Sequence, residues 1–331
     1  MNKVIFTADD YGAIPAIDTG IIKAIHAGKI NSVDSFSNHH QFESKIKHLM
    51  DECDGSKFEV GCHLTISSGK PVSGRKIGLL TRRGTLSLRK GKYFKKYTQM
   101  RRTRHTHREL NDLHYELSKQ VEQFDKFNIP ITHLSNHHNT LFFFQDYHEL
   151  FFRVAKENNL AVRSPLNIPK AMNDLYMSMV VLRMFDNMSK ENRHRILTHT
   201  RRMRSFLAHY EDLPSMPIAL NTVHYGPLAL PTNQLTDQEV SAFADEKNLA
   251  LREELSVDAP EEEVMEYVFH LIDDDYSKLG EYCKQTKFSK SKYTGIDSGY
   301  FDSRMAEQRA LLNFDLATLV SFESWTQLSA G

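Results

Sequence analysis

Blocks of apolar and polar positions along the chain predict strands and helices in alternation. Val4 to Ala8 form an apolar run typical of a short buried strand. Pro15 then suits a helix start, and the apolar residues after it recur at near-helical spacing as far as Gly28, a typical residue just beyond a helix. From Glu109 to Phe127 the apolar residues fall on one face, which predicts an amphipathic helix. Strands that alternate with helices in this way indicate parallel βαβ units.

Four further segments are predicted strands, and helices are predicted between them. The strand segments are KINSVDSFSN, KFEVGCHLTI, NIPITHLSNHH and LAVRSP. A short helix is predicted over residues 40–52, and DYHELFFRVAKENN returns to a helical pattern. No internal repeat and no proline- or glycine-rich linker divides the chain, so we expect one α/β domain over residues 1–331.

Two basic segments interrupt this rhythm and are interpreted as insertions over the sheet ends. The first, at about residues 82–108, contains RKGKYFKK and RRTRHTHR. The second, at about residues 170–215, contains RHRILTHTRRMR. A solvated face or an oligomer contact is the favoured interpretation. The alternative is that these segments line the entrance for an anionic or long polar substrate.

Length and charge narrow the classes of function. With 331 residues, 40% of them apolar and 25% charged, the chain suits a globular protein with a substantial core. This length lies within the range of a single α/β barrel. The 42 basic residues balance 42 acidic ones, so the net charge gives no support to a nucleic-acid partner.

Cysteine usage and the N-terminal residues favour a cytoplasmic location. The three cysteines, Cys53, Cys62 and Cys283, are an odd number without metal-type spacing, which favours a reducing compartment over a disulfide scaffold. The opening residues MNKVIFTADD lack the apolar stretch of a signal peptide. No uncharged apolar stretch approaches the ~20 residues of a membrane span. We therefore expect a soluble cytoplasmic protein.

Carboxylates and imidazoles follow several of the predicted strands. Asp9 and Asp10 follow the first strand, His63 lies near the end of the strand in KFEVGCHLTI, and His137 and His138 follow the strand in NIPITHLSNHH. In a parallel barrel the C-terminal ends of the strands share one face, so these side chains can meet. Asp10, His63 and one of the later histidines would form a two-histidine, one-carboxylate set. Such a set holds a divalent metal and leaves open positions for water and substrate.

The same residues also have plainer interpretations. Paired aspartates cap helices or bind lysines, and a single histidine such as His63 is more often a hydrogen-bonded structural residue than a ligand. Their combination at successive strand ends is what favours the metal site. A bound cation would keep Asp10 ionised, and Asp9 could then accept a proton from the activated water.

Six ordered parts of the chain resemble the YdjC-like carbohydrate deacetylases, relatives of the NodB-type polysaccharide deacetylases. The matching segments are TADDYG, GIIKAIHAGKINSVDSFSN, VGCHLTISSGKPVSG, ELSKQVEQFDKFNIPITHLSNHHN, AVRSP, and the late pair MEYVFHLIDDD and YFDSRMAEQRALLN. The fold that this resemblance implies is an α/β fold, an irregular (β/α) barrel of NodB type.

The resemblance also implies a metal site and a general base. Asp10, His63 and His137 would bind the metal. Asp9 would be the general base that activates water, and Arg163 would position Asp9 or the substrate.

Further roles follow from the same resemblance. His270 would be the general acid for the leaving amine, with His224 in NTVHYGPLALP as the reserve candidate. The substrate-binding candidates are Asn38, His138 and Asn139. The chain departs from the family pattern where Leu-Ile, not Pro-Gly, follows His270.

The expected reaction is hydrolysis of an N-acetyl group from an amino sugar or an N-acetylated oligosaccharide, with release of acetate. We expect one divalent metal ion, with Zn first and Mg, Mn or Co as alternatives. A homodimer is plausible from the resemblance. Two other functions stay open: a metal-dependent hydrolase of another bond, such as a phosphoester, and a diverged barrel that binds a glycan without turnover.

Overall fold

The computed structural model describes most of the predicted strand–helix units. The described residues are 2–75, 77, 80, 94, 105–142, 145–164, 215–217, 235–256, 264–278, 280–281, 301–316 and 319–329. Almost all of both predicted insertions lies outside these residues. The single-domain organisation and the role of the insertions therefore stay predictions.

The described strands form one parallel sheet. The strands are β1 (Asn2–Tyr11), β2 (Ser32–Ser35), β3 (Glu59–Leu64), β4 (His133–Asn136), β5 (Ala161–Ser164), β6 (Ser215–Pro217), β7 (Val264–Phe269) and β8 (Val320–Phe322). Their order across the sheet is β6-β5-β4-β3-β2-β1-β7, and β8 pairs with the first residues of β1. Every pairing is parallel, as the alternation of strands and helices predicted.

Helices connect these strands, and the first four of them lie where the sequence pattern predicted helices. The helices are α1 (Pro15–His26), α2 (Phe42–Glu52), α3 (His107–Lys126), α4 (Gln145–Glu157), α5 (Asp237–Leu255), α6 (Phe301–Asn313) and α7 (Trp325–Ser329). Pro15 occupies the start of α1, and Gly28 lies just beyond its end with a φ of +65°. A capping box between Thr106 and Glu109 begins α3, where both residues bond each other's backbone N–H.

The sheet curls into a barrel-like shape. The two strands at the ends of its order, β6 and β7, contact each other. Arg163 on β5 also donates hydrogen bonds to Glu266 on β7, across the concave side of the sheet. The predicted (β/α) barrel class is therefore confirmed, and the C-terminal ends of β1 to β5 and β7 meet at one edge.

An apolar core packs around the sheet. Side chains from the strands and from α1 to α6 form one continuous buried cluster. Among the described residues, no helix has both the length and the apolar character that a membrane crossing requires. The charged groups that do enter the interior must therefore find partners there.

Candidate metal and catalytic site

Three buried donor groups converge at the C-terminal ends of β1, β3 and β4. The Nε2 atom of His63 lies 3.5 Å from Oδ1 of Asp10. The Nδ1 atom of His137 lies 3.1 Å from the same oxygen and 3.2 Å from His63 Nε2. Each of the three residues is at least 97% buried. We call Asp10, His63 and His137 the metal triad.

The geometry of the metal triad fits a divalent cation. Donor atoms about 2.1 Å from a common ion lie roughly 3.0–3.4 Å apart in octahedral or tetrahedral arrangements. The three measured separations agree with this range within about 0.1 Å. Oδ1 of Asp10 is buried and accepts no hydrogen bond of good geometry from the described residues. One carboxylate oxygen and two imidazole nitrogens also suit Zn, Mn, Fe or Co.

Neighbouring side chains fix the orientation of both imidazole rings. Nδ1 of His63 is hydrogen-bonded to Ser135 Oγ at 2.7 Å, which leaves Nε2 directed at Asp10. The ring of Phe36 packs edge-on against both histidines, with centroids 5.0 Å from His63 and 4.8 Å from His137. The triad is thus pre-organised by polar and aromatic contacts.

The backbone of β1 turns Asp9 and Asp10 in different directions. The pairing with β2 shifts register between Ala8 and Tyr11, as in a β-bulge. Asp10 has a φ of +73°, in the left-handed region that Asp adopts more readily than most residues. Gly12 follows with a φ of +90°, and its N–H donates to Asp18 Oδ1 at 2.6 Å. This turn places two consecutive carboxylates in two separate environments.

A guanidinium group holds the outer oxygen of Asp10. Arg304 on α6 donates from Nη2 to Asp10 Oδ2 at 2.5 Å. Burial alone would raise the pKa of Asp10, but His137 and Arg304 together hold it well below its ordinary value. The imidazole and the guanidinium beside Asp10 therefore favour its ionised form.

Asp9 instead joins a cluster built around Arg163. Nη1 of Arg163 donates to both oxygens of Asp9 at 2.9 Å, and the guanidinium also donates to Glu266 at 2.6 and 2.8 Å. Asp34 on β2 completes the set, with its Oδ2 atom 2.7 Å from Arg163 Nη2. We call Arg163, Asp9, Asp34 and Glu266 the carboxylate cluster.

Asp34 connects the carboxylate cluster to a buried histidine, His133. Oδ1 of Asp34 lies 2.8 Å from His133 Nε2, and the His133 ring stacks on Trp325 with centroids 4.2 Å apart. Gly61 makes this contact possible, because a Cβ atom there would overlap both Asp34 Oδ1 and His133 Nε2. The close approach of the two polar groups therefore requires glycine at this position.

In the carboxylate cluster, the pKa values of Asp9 and Asp34 are shifted in opposite directions. Burial raises the pKa of Asp9 well above its ordinary value, although Arg163 opposes this effect. Burial also disfavours ionised Asp34, but Arg163 and His133 overcome it and hold the pKa of Asp34 below its usual range. Asp9 is thus the more basic of the two carboxylates that Arg163 contacts on β1 and β2.

A second group of possible ligands overlaps the first. Oxygen atoms of Asp9 and Asp34 and a nitrogen of His63 also lie within 4.8 Å of one another. Both of these carboxylates already face the Arg163 guanidinium. A cation there would compete with a fixed positive charge, so the metal triad is the better metal site.

His270 follows the C-terminal end of β7, at the same edge of the sheet as Asp9. Ala8 on β1 pairs with Phe269, the last residue of β7, so Asp9 and His270 are the residues that follow this pair. The His270 backbone N–H donates to Glu307 Oε1 at 3.0 Å. His224, the reserve candidate for the acid, lies outside the described residues.

The three substrate-binding candidates differ in their surroundings. The side-chain amide of Asn38 donates to the carbonyl oxygens of Ser68 and Lys70 at 2.8 and 3.2 Å, so it holds the loop after β3. The ring of His138 lies over His137 with centroids 3.7 Å apart, and its Nδ1 is 3.2 Å from Ser67 Oγ. His138 and Asn139 both have positive φ values, which interrupts the 3-10 segment that follows β4. Their contact with substrate stays a prediction.

Several residues of the site were not assigned a role from the sequence. Asp34 and Glu266 complete the carboxylate cluster, and Ser135 and Arg304 orient the metal triad. A carboxylate within the apolar strand VMEYVF is a sign of a buried ion pair, and this sign identifies Glu266. Nothing in the sequence around Asp34 shows that Arg163, far along the chain, is its partner.

Comparison with known proteins gives relatives that match large parts of the chain. A carbohydrate deacetylase from Clostridium beijerinckii is 26% identical over 261 residues, which cover 75% of this chain and 97% of the relative. A carbohydrate deacetylase from Oceanobacillus iheyensis is 27% identical over 161 residues, or 49% of this chain and 64% of the relative.

A solved structure and a family model complete the comparison. The structure is from Enterococcus faecalis V583 and is provisionally named a cellobiose-phosphate cleavage protein. It has a TM-score of 0.53 at 16% identity and covers 99% of both chains, which shows a shared fold. The family model described as YdjC-like protein matches residues 3–312. The family expected from the sequence motifs is therefore confirmed: the chain belongs to the YdjC-like family.

Proposed function

We propose that this protein is a metal-dependent carbohydrate N-deacetylase, a hydrolase that removes an N-acetyl group from an amino sugar or oligosaccharide and releases acetate. The observation that carries the proposal is the convergence of the metal triad next to Asp9 at the strand ends. The names of the curated relatives, carbohydrate deacetylases, agree with this class of enzyme.

Asp10, His63 and His137 would hold one divalent ion. Their mixed nitrogen and oxygen donors favour Zn, with Mg, Mn or Co as alternatives. When bound, such an ion supplies Lewis-acid polarisation of the acetyl oxygen and acidifies water. His63 and His137 must be neutral to act as ligands, and the hydrogen bond between His63 Nδ1 and Ser135 Oγ holds the first of these rings in place.

Asp9 is suited to the role of general base. Arg163 bonds both of its oxygens, so its orientation is fixed, and Asp9 Oδ2 lies 3.9 Å from His63 Nε2 beside the metal triad. Burial raises its pKa, which makes it a better proton acceptor than an exposed aspartate. In the proposed reaction Asp9 takes one proton from water as the water oxygen attacks the acetyl carbon.

His270 is suited to the role of general acid. Its place next to Asp9 in the strand register puts it at the same edge of the sheet. The proposed reaction breaks the bond between the acetyl carbon and the nitrogen, and a proton from His270 goes to that nitrogen. The carboxyl group that forms gives its proton to the freed amine, so the products are acetate and the amino sugar as its ammonium ion. The proton taken by Asp9 returns His270 to its starting state.

A phosphoester hydrolase is less consistent with the described residues. Two-metal phosphoesterases hold their ions about 3.5–4 Å apart between shared ligands. A second ion here would need Asp9 and Asp34 as ligands, but both carboxylates already pair with Arg163. The cytoplasmic location, the homodimer and any anionic character of the sugar stay predictions.

Acetate release from a panel of N-acetylated sugars tests the proposal. The wild-type protein, loaded separately with Zn, Mn, Co or Mg, should release acetate from at least one sugar. Asp9→Asn should retain the metal and lose turnover, because the amide cannot take a proton. Asp10→Ala should lose both.

Two results would contradict the proposed reaction, and a third would contradict the role of Asp9. Release of phosphate from phosphorylated sugars, with no acetate from any acetylated one, would favour the other hydrolase class. Sugar binding without acetate release under any of the four metals would favour a non-catalytic barrel. Normal turnover by Asp9→Asn would remove the general-base assignment.

A further inference from the structure

Helix α6 presents two buried charged residues to two adjacent strand ends. Arg304 reaches the Asp10 side chain on β1, and Glu307 accepts the backbone N–H of His270 after β7. Residues three apart lie on the same face of a helix, so one face of α6 serves both contacts. Both side chains are almost fully buried.

The position of α6 relative to the sheet is fixed by further contacts. Gln308 donates to the carbonyl oxygen of Gly20 on α1 at 3.1 Å. A Cβ atom at Gly20 would overlap the backbone of Ile272 and Asp273, so α1 lies directly against the segment after β7. The N–H of Asp273 also donates to Ala16 on α1 at 2.8 Å. The helix that carries Arg304 is therefore held in place by contacts with α1, which itself packs against the segment after β7.

The two oxygens of Asp10 have different surroundings. Oδ1 faces the imidazole nitrogens of the metal triad, and Oδ2 faces the guanidinium of Arg304. A carboxylate that is free to rotate can offer a cation either oxygen or both. With Oδ2 held at 2.5 Å, only Oδ1 is directed at the two histidines.

We propose that Arg304 is a positioning residue that holds Asp10 as a single-oxygen metal ligand. The proposal rests on the metal site of the proposed function, but it does not depend on the sugar or the bond that is hydrolysed. Arg304 acts through Asp10 and has no direct part in the reaction. Outer partners of metal ligands of this kind contribute about 10- to 100-fold to metal affinity.

A purely electrostatic effect of Arg304 would have the opposite sign. A positive charge near the site repels a divalent cation, so its removal would then strengthen metal binding. In the positioning role, its removal frees Asp10 to rotate and weakens metal binding. The sign of the change in affinity therefore distinguishes the two roles.

The experiment measures Zn affinity by titration calorimetry or by competition with a chelating dye, without any sugar present. Arg304→Gln should bind Zn about 10- to 100-fold more weakly than wild type. Arg304→Lys should recover part of the loss, because an ammonium can still hold Oδ2 but lacks the planar guanidinium fork. Circular dichroism and thermal unfolding of the metal-free proteins check that each variant is folded.

Arg309→Gln is the matched control. Arg309 lies on the same helix, and its guanidinium pairs with Asp237 at 2.6 Å on the surface of α5. The control removes the same group from the same helix and should leave Zn affinity within about twofold of wild type. This result would show that the loss in Arg304→Gln is not a general weakening of α6.

Equal or tighter Zn binding by folded Arg304→Gln would overturn the proposal. If that variant does not fold, Arg304→Lys decides: weaker Zn binding than wild type supports the positioning role, and unchanged binding overturns it. A wild-type protein that binds none of Zn, Mn, Co or Mg would overturn it together with the metal site. A protein that binds Zn but releases no acetate contradicts only the proposed function, since affinity is measured separately.

Discussion

Asp9 and Asp10 are consecutive residues, yet their carboxylates belong to regions of opposite character. In the carboxylate cluster, Asp9 gives both oxygens to Arg163, which also bonds Glu266 and lies against Asp34. In the metal triad, the guanidinium of Arg304 bonds the outer oxygen of Asp10 and leaves the inner oxygen to the imidazoles. Among the described residues, Oδ1 of Asp10 faces two imidazole nitrogens, at 3.1 and 3.5 Å.

The difference lies in what each buried carboxylate faces. The acidic groups around a guanidinium already have a cation, whose charge and hydrogen bonds offset the cost of burying them. A set of three electron-pair donors that face one another is stabilised by an added cation. A single bulge in β1 is enough to direct neighbouring residues into these two environments.

Loss of Arg163 should be the most destabilising change to the carboxylate cluster. Arg163→Met leaves the carboxylates of Asp9, Asp34 and Glu266 buried without their cation, and we expect a loss of about 3–5 kcal/mol in the free energy of unfolding at neutral pH. Urea unfolding measures it. Arg75→Met is the control, because its ion pair with Asp112 is partly exposed and contributes about 0–1 kcal/mol.

The stability of the Arg163→Met variant should also depend on pH with a defined sign. In wild type, Arg163 and His133 lower the pKa of Asp34, so the stability from this group is present above about pH 3.9 and falls only below it. Without Arg163, burial raises the pKa of the unpaired carboxylates. Asp9 already has a raised pKa in wild type, so the stability of both proteins should increase from pH 7 towards pH ~4, and more steeply for the variant, in which Asp34 also binds a proton. A variant as stable as wild type at neutral pH would show that the cluster is not held by its cation.

Metal binding should stabilise the protein through the metal triad alone. At a free Zn concentration about 100 times the dissociation constant, the free energy of unfolding should increase by about 2.7 kcal/mol. Asp10→Ala should show no such increase. Asp34→Asn should retain it, because Asp34 belongs to the carboxylate cluster. Thermal unfolding with and without Zn measures the effect, and equal stabilisation of wild type and Asp10→Ala would place the ion elsewhere.

Glycine at position 61 should matter to the carboxylate cluster and much less to the metal triad. The added methyl group of Gly61→Ala would separate Asp34 from His133, and overpacking of this kind costs about 1–3 kcal/mol. Zn affinity should change by less than threefold. Gly55→Ala is the matched control, since its Cβ would meet only the flexible end of Met50. Equal stabilities of the two variants would contradict the close contact at Gly61.

Local pattern and motif explain how much of this arrangement the sequence predicts. The strand runs, the Pro15 helix start and the residues of the metal triad are each visible within short segments, and in the structure the three side chains of the triad lie close together. The partners of Arg163 are not visible in this way. They lie on β1, β2 and β7, and only the curl of the sheet brings them to β5. The same holds for Arg304, whose contact with Asp10 joins residues 294 positions apart.

The smallest expected effect is a change in the fluorescence of the single tryptophan, which reports on the carboxylate cluster and not on the metal triad. Trp325 is fully buried and stacks on His133, which contacts Asp34 in the carboxylate cluster. Gly61→Ala moves these groups, so the intrinsic fluorescence of Trp325 should change in intensity or emission maximum. Zn, which has a filled d shell, should change the wild-type emission much less when it binds to the metal triad.

A Zn-induced change as large as that of Gly61→Ala would mean that the ion reorganises the carboxylate cluster, because His63 Nδ1 lies only 3.7 Å from Asp34 Oδ2. An unchanged spectrum would show that the donors of Asp10, His63 and His137 accept the ion without disturbing the ionic contacts of Arg163.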